Sequence, residues 1–127
     1  MMLLFLSNSK TLDLQKISTH TMIYITQLVY IKPGQEKAFD EFESVAIPII
    51  ARYNGELQLR LRPDKDALLA GTIPPPYEVH LVSFATDDDF ENFKQDEERK
   101  KYLHLKEQSI LSVVLIKGIQ PGELSNQ

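Results

Sequence analysis

The chain of 127 residues contains no cysteine and no tryptophan. Without a thiol there is no disulfide, no thiolate nucleophile, no iron–sulfur cluster and no cysteine-ligated zinc, and the composition suits a reduced cytoplasmic setting. Glycine is scarce, with 5 in all. Gly34, Gly55, Gly71, Gly118 and Gly122 stand singly at turns and caps, so no phosphate-cradling loop, serine elbow or nucleotide fingerprint is present. Basic residues are outnumbered, 14 Lys and Arg against 18 Asp and Glu, for a formal charge of −4. The one cationic run, Arg99-Lys100-Lys101, is too short to make nucleic acid the expected ligand. Long apolar runs are missing too. Met1-Met2-Leu3-Leu4-Phe5-Leu6 stops at Ser7-Asn8-Ser9-Lys10, far short of a bilayer-spanning helix, and lacks the basic start and small-residue cleavage site of a secretory signal.

A chain of this length has surface to bury in one core, so a single domain is expected. Residues 1–21 carry no sustained periodicity, whereas Met22 opens a strong strand pattern. The segment 1–21 therefore reads as an N-terminal extension to a domain over 22–118, with 119–127 as a tail. Deleting 1–21 is expected to leave a soluble chain with an unchanged melting transition, which thermal denaturation of the truncated protein checks.

Within the domain, Ile23-Tyr24-Ile25-Thr26-Gln27-Leu28-Val29-Tyr30-Ile31 is rich in β-branched and aromatic residues and ends at Lys32-Pro33-Gly34, a strand followed by a turn. Apolar residues then recur at Ala38, Phe39, Phe42, Val45, Ala46, Ile49, Ile50 and Tyr53 with helical spacing, while Glu36, Lys37, Asp40, Glu41 and Glu43 take the other side. Pro48 inside this pattern predicts a bend or break, because it cannot donate to the carbonyl of Ser44. Asn54-Gly55 reads as a left-handed cap. Glu56-Leu57-Gln58-Leu59-Arg60-Leu61-Arg62 alternates without a fault, which predicts a strand with its leucines on one face and Arg60 and Arg62 on the other. After Pro63, residues 64–76 form a loop ending in the stiff Pro74-Pro75-Pro76. Tyr77 to Ala85 is a third strand. Thr86-Asp87-Asp88-Asp89 caps a second helix carrying Phe90 and Phe93, a better account of the acids than a calcium loop. Asp96-Glu97-Glu98 restarts that helix near Gln95. Ile110-Leu111-Ser112-Val113-Val114-Leu115-Ile116-Lys117 is a fourth strand, apolar enough to suggest a central position or cover on both faces.

The order strand, helix, strand, strand, helix, strand is that of a ferredoxin-like α+β sandwich. Right-handed crossovers put both helices on one face of a four-stranded antiparallel sheet and leave the other face bare. Alternation assigns Tyr24, Thr26, Leu28 and Tyr30 to the bare face with Gln58, Arg60 and Arg62, and extends it to Glu78, His80, Val82 and Phe84. So mixed a surface predicts cover by a second copy, a two-fold homodimer.

The stretch Ile47-Pro48-Ile49-Ile50-Ala51-Arg52-Tyr53-Asn54-Gly55 leading into a strand with Arg60 resembles the dimeric α+β barrel superfamily. So do Phe84 before a broken, acid-capped helix and the Val-rich last strand. The nearest likeness is to the small bacterial domain-of-unknown-function family 1330, over residues 22–118. Two features differ from that family: the helix restart reads Asp96-Glu97-Glu98-Arg99 where a Ser-Pro-Glu-Tyr type of start is usual, and the loop from Asp64 to Pro76 is longer. The resemblance implies a pairing of ferredoxin-like domains into an α+β barrel. Because the superfamily includes cofactor-free monooxygenases and haem-degrading enzymes, it also implies an oxygenase or isomerase alternative, with His80 as base and Arg60 steering an oxyanion. The missing tryptophan argues against haem, and no cofactor is implied.

The candidate site residues follow. Arg60 and Arg62 need acids or solvent, whether Glu56, Glu78, a carboxylate of a second copy, or the carboxylate or phenolate of a bound molecule. His80, mid-strand, suits proton abstraction if it lines a cavity and is otherwise a packed core residue. Tyr30 and Tyr77 at strand ends can donate hydrogen bonds to a ligand or simply edge the core. His104 and Glu107 share a helix face, but two ligands do not make a metal site. Phe39, Phe42, Phe90 and Phe93 read as core. Three functions remain open: a homodimer that binds a small aromatic or carboxylate-bearing molecule, an enzyme of the cofactor-independent monooxygenase or isomerase type, and a structural or regulatory dimer.

Overall fold

A computed structural model describes residues 21–119; the N-terminal extension, except its last residue, and the tail beyond Ile119 lie outside the described residues. The elements are β1 (Ile23–Ile31), α1 (Glu36–Ile50), a 3-10 turn (Ala51–Tyr53), β2 (Gly55–Leu61), β3 (Glu78–Phe84), α2 (Asp87–Lys94), α3 (Glu97–Lys100), α4 (Leu103–Ser109) and β4 (Ile110–Ile119). All neighbouring strands are antiparallel, in the order β2-β3-β1-β4. This is the expected α+β arrangement. Pairing is favourable along β1 because its β-branched and aromatic residues suit a pleated surface on both sides.

The helix boundaries follow from local chemistry. Asn54, with φ of 57°, supplies the left-handed residue that ends the α1 segment. Gly55 then starts β2 where a Cβ would lie 2.6 Å from Ile50 Cγ2 and 2.7 Å from Phe84 Cε1, so only hydrogen fits there. The Thr86 hydroxyl accepts from the Asp89 amide at the start of α2, and the Asp96 carboxylate accepts from the Arg99 amide at the start of α3. Pro48 does not break α1, which runs through it to Ile50. The lost bond falls near the C-terminal end of the helix, and Ile49 and Ile50 behind it are held in the core.

Strand β4 is not central, as its apolar character suggested, but lies at the sheet edge. Leu111, Val114, Leu115, Ile116 and Ile119 are all exposed.

Faces of the sheet also differ from strict alternation. Leu57 pairs with Val82 and Leu59 with the adjacent Leu81, so Gln58 is an extra residue in β2, a β-bulge. Beyond it every side chain changes face. Leu59 and Leu61 join Tyr24, Leu28, Leu81 and Ile116 on the helix-free face, while Arg60 comes opposite His80 on the helix face. Glu78, His80, Val82 and Phe84 share that helix face with Val29, Gln27, Ile25 and Ile23. The helix-free face is therefore more apolar than expected, and the arginines and His80 belong to the other side.

Two apolar clusters sit between helices and sheet. Ile23, Ile25, Ile49, Ile50, Val82, Phe84, Phe90 and Phe93 form the larger, and Phe42, Ala46 and Leu105 the smaller. Phe39, Phe42, Phe90 and Phe93 are all buried, as their helical spacing predicts.

Candidate functional site

Between the two clusters lies a cavity of about 340 Å³, lined by members of both. Phe42, Phe84, Phe90 and Phe93 supply aromatic walls, and Gln27, Glu43, His80, Arg99 and Lys106 supply the polar groups. Leu115, on the exposed edge strand, also lines it, so the cavity reaches solvent beside β4. A largely apolar chamber with a few convergent polar side chains is the usual form of a small-molecule site.

His80 is 4% exposed. Its Nε2 lies 2.5 Å from Oε2 of Glu78, two residues earlier on the same strand face. A carboxylate at Nε2 assigns the ring proton there, which leaves Nδ1 as an acceptor with no partner among the described residues. Glu78 is buried more deeply still, at 1% exposure. Its Oε2 accepts from Arg60 Nε at 2.7 Å, and its Oε1 accepts from Arg62 Nε at 3.1 Å. Burial opposes its ionisation, but the hydrogen bonds from Arg60, His80 and Arg62 outweigh that and hold its carboxyl below the ordinary carboxylate range. The result is a chain of charge from two half-exposed guanidinium groups through one buried carboxylate to an imidazole at the cavity wall.

Of the five candidate residues, the structure places only His80 on the cavity. Arg60 and Arg62 stand behind it, bound to Glu78, and Arg62 also pairs with Asp40. Tyr77 packs beneath Arg62, whose guanidinium carbon is 4.4 Å from the ring centroid. Tyr30 is on the helix-free face, where its hydroxyl donates to the Pro74 carbonyl and ties down the loop. The reason is the bulge at Gln58 for the arginines and simple alternation for Tyr30. His104 is exposed and stacks on Tyr102.

Three charged cavity residues, Glu43, Arg99 and Lys106, were not among the candidates. Glu43 was expected on the solvent side of the first helix, yet it is 8% exposed. Its spacing from Phe39, Ala46 and Ile50 puts it on the apolar stripe, a signal present in the sequence. Burial raises its carboxyl above the ordinary range, with His80, Arg60 and Arg99 opposing and Glu78 assisting. The Arg99 guanidinium lies over Phe93 at 5.0 Å and Phe42 at 5.8 Å, and its Nη1 donates to the Lys94 carbonyl. Its Nε is buried with no hydrogen-bond partner, a state that costs about 1–3 kcal/mol. Burial lowers the pKa of both Arg99 and Lys106.

The buried Glu43 carboxyl has a direct consequence for stability. A carboxyl whose folded pKa is raised destabilises the fold only above its unfolded pKa, about 4.3, and the cost grows until pH passes the folded value. Glu43→Gln is therefore expected to melt higher than wild type at neutral pH and to lose that advantage in acid. Melting curves across pH check this; equal transitions at neutral pH would contradict it.

No family model and no curated protein matches the chain. Solved structures do match. A protein of unknown function from Rhodopseudomonas palustris superimposes with a TM-score of 0.71 at 12% identity, covering 91% of this chain and 94% of that one. A DABB family protein with a ferredoxin-like fold from Mesorhizobium loti gives a TM-score of 0.58 at 13% identity over 79% and 97% of the two chains. A candidate antibiotic biosynthesis monooxygenase from Chloroflexus aurantiacus gives 0.59 at 9% over 79% and 93%. The fold is ferredoxin-like α+β. At such identities the likeness reaches the backbone and stops short of the site.

Among the described residues no helix is long and apolar enough to cross a membrane.

Proposed function

We propose that the protein is a cytoplasmic homodimer that pairs through the helix-free face of its sheet and holds one small aromatic-bodied molecule per protomer in the cavity over the other face. The observation that carries this is the aromatic-walled chamber of about 340 Å³ with His80 on its wall. Two features support the pairing. The helix-free face gathers Leu28, Leu59, Leu61, Leu81, Val114 and Ile116, of which Ile116 is 55% and Leu59 44% exposed, and the sequence stretch around Pro48 and Arg60 resembles the domain-of-unknown-function family 1330 within the dimeric α+β barrels. Covering such a face takes an interface of about 800 Å² per partner, the size usual for stable dimers.

A second reading makes the protein an enzyme of the cofactor-independent monooxygenase or isomerase type. The Glu78–His80 pair favours it: Nδ1 of His80 is free to accept a proton from a phenol, quinol or other acidic group, and the Glu78 carboxylate offsets the charge the imidazole gains. In this reading Arg60 and Arg62 are positioning residues, since they act through Glu78.

Sedimentation at micromolar concentration is expected to give a particle of twice 14.6 kDa, and Ile116→Asp to give the monomer; a wild-type monomer would overturn the pairing. For the cavity, calorimetric titration with small aromatic compounds is expected to show saturable binding at one site per chain. Turnover of a quinol or an enolisable ketone that disappears in His80→Gln, with melting little changed, would select the enzyme. A dimer that binds none of the compounds would be a structural or regulatory one.

A further inference from the structure

Resting on the reading of the cavity as a ligand site, the balance of charge around it narrows the ligand further. Glu78 carries the negative charge nearest His80, but Arg60 and Arg62 already consume it from the side away from the cavity. What remains around the chamber is Arg99 from α3, Lys106 from α4 and one carboxyl, Glu43 from α1. Among the described residues, no ion pair within 4.0 Å and no hydrogen bond joins Glu43 to either cation, and the Lys106 ammonium has none with any residue. The three groups surround a common space without closing it. Arg99 is held ready: its guanidinium rests on the rings of Phe42 and Phe93, its Nη1 is fixed to the Lys94 carbonyl, and its buried Nε–H has no acceptor. Two cations on the wall of an aromatic chamber, neither joined to a carboxylate there, are complemented by an anionic oxygen attached to a flat apolar body.

We propose that the cavity selects aromatic carboxylates, seating the ring among Phe42, Phe84, Phe90 and Phe93 and the carboxylate between Arg99 and Lys106. The part of the Arg99 guanidinium that lines the cavity donates to one carboxylate oxygen, and the Lys106 ammonium approaches the other. This puts the anion-binding role on Arg99 and Lys106 in place of Arg60 and Arg62.

The test compares 2-naphthoate with 2-naphthamide, which share a shape and differ in charge, by calorimetric titration of the full-length protein. Wild type is expected to bind the carboxylate at least about tenfold more tightly than the amide. Arg99→Gln should bring the two within about threefold, Arg99→Lys should restore part of the preference, and Lys106→Met should weaken it. Equal affinity of wild type for the two compounds would overturn the anion seat while leaving the cavity a ligand site. So would an unchanged preference in Arg99→Gln. Absence of binding by either compound would overturn the ligand-site reading itself, and this inference with it. The wild-type comparison stands even if an Arg99 variant folds poorly.

Discussion

Replacing Glu78 with alanine is expected to lower the unfolding free energy by about 3 kcal/mol at neutral pH, measured by urea denaturation. The carboxylate is 1% exposed and accepts hydrogen bonds from Arg60, Arg62 and His80. Removing one member of a buried ionic group usually costs about 3–5 kcal/mol, because the partners keep their charge and lose its complement. Here the surviving guanidinium groups are 33% and 44% exposed and can turn to water, so the lower end applies. Most of the loss is His80's, which stays buried with its Nε2–H unanswered. The pH dependence has a definite sign. Because the folded pKa of Glu78 lies below the unfolded one, its contribution is complete above about pH 4.3 and disappears as pH falls through the folded value. The gap between wild type and Glu78→Ala should therefore narrow in acid. A gap that stayed constant to about pH 2 would show that the carboxylate acts by shape and not by charge.

Phe84→Ala is expected to be costlier, about 3–5 kcal/mol. The ring is 1% exposed, its centroid is 5.4 Å from that of Phe90 and 5.5 Å from that of Phe93, and it packs in the larger cluster against Ile23 and Val82. A deficit of that size is a large share of the 5–15 kcal/mol that holds a typical domain together, so the variant should unfold well below the wild-type temperature. Phe84 also forms part of the cavity wall. In Phe84→Ala the chamber enlarges at the expense of the core, and a bound aromatic compound should recover more melting temperature in the variant than in wild type. A variant that melts within a few degrees of wild type would mean that the neighbouring rings collapse into the space and that wall and core are not one structure.

The order of elements was legible because each carried its own local signal: the β-branched run at Ile23–Ile31, the helical spacing from Ala38 to Ile50, the caps at Thr86 and Asp96. The layering followed from topology. What alternation could not disclose was the bulge at Gln58. A bulge arises from how β2 and β3 pair, so a faultless pattern over Glu56–Arg62 pointed Leu59, Leu61, Arg60 and Arg62 to the wrong faces. Placing Glu78, His80, Val82 and Phe84 on the bare face hid the pairing of His80 with Glu78, although two residues apart on a strand is the spacing that brings side chains together. The edge position of β4 was equally hidden, since apolar composition reports cover by any surface, a second copy included. Arg99 and Lys106 come from separate short helices and reach the same cavity only through tertiary packing. No spacing rule links them.

The bulge at Gln58 also couples two properties that would otherwise vary independently. Parity along a strand is all-or-none. Pairing Gln58 with Leu81 as an ordinary ladder residue would reverse the sense of everything beyond it in β2, sending two leucines inward and two guanidinium groups outward in one step. Cavity chemistry and the stickiness of the outer surface would thus change together, and a lineage that flattened the bulge while keeping Gln58 would have to rebuild both.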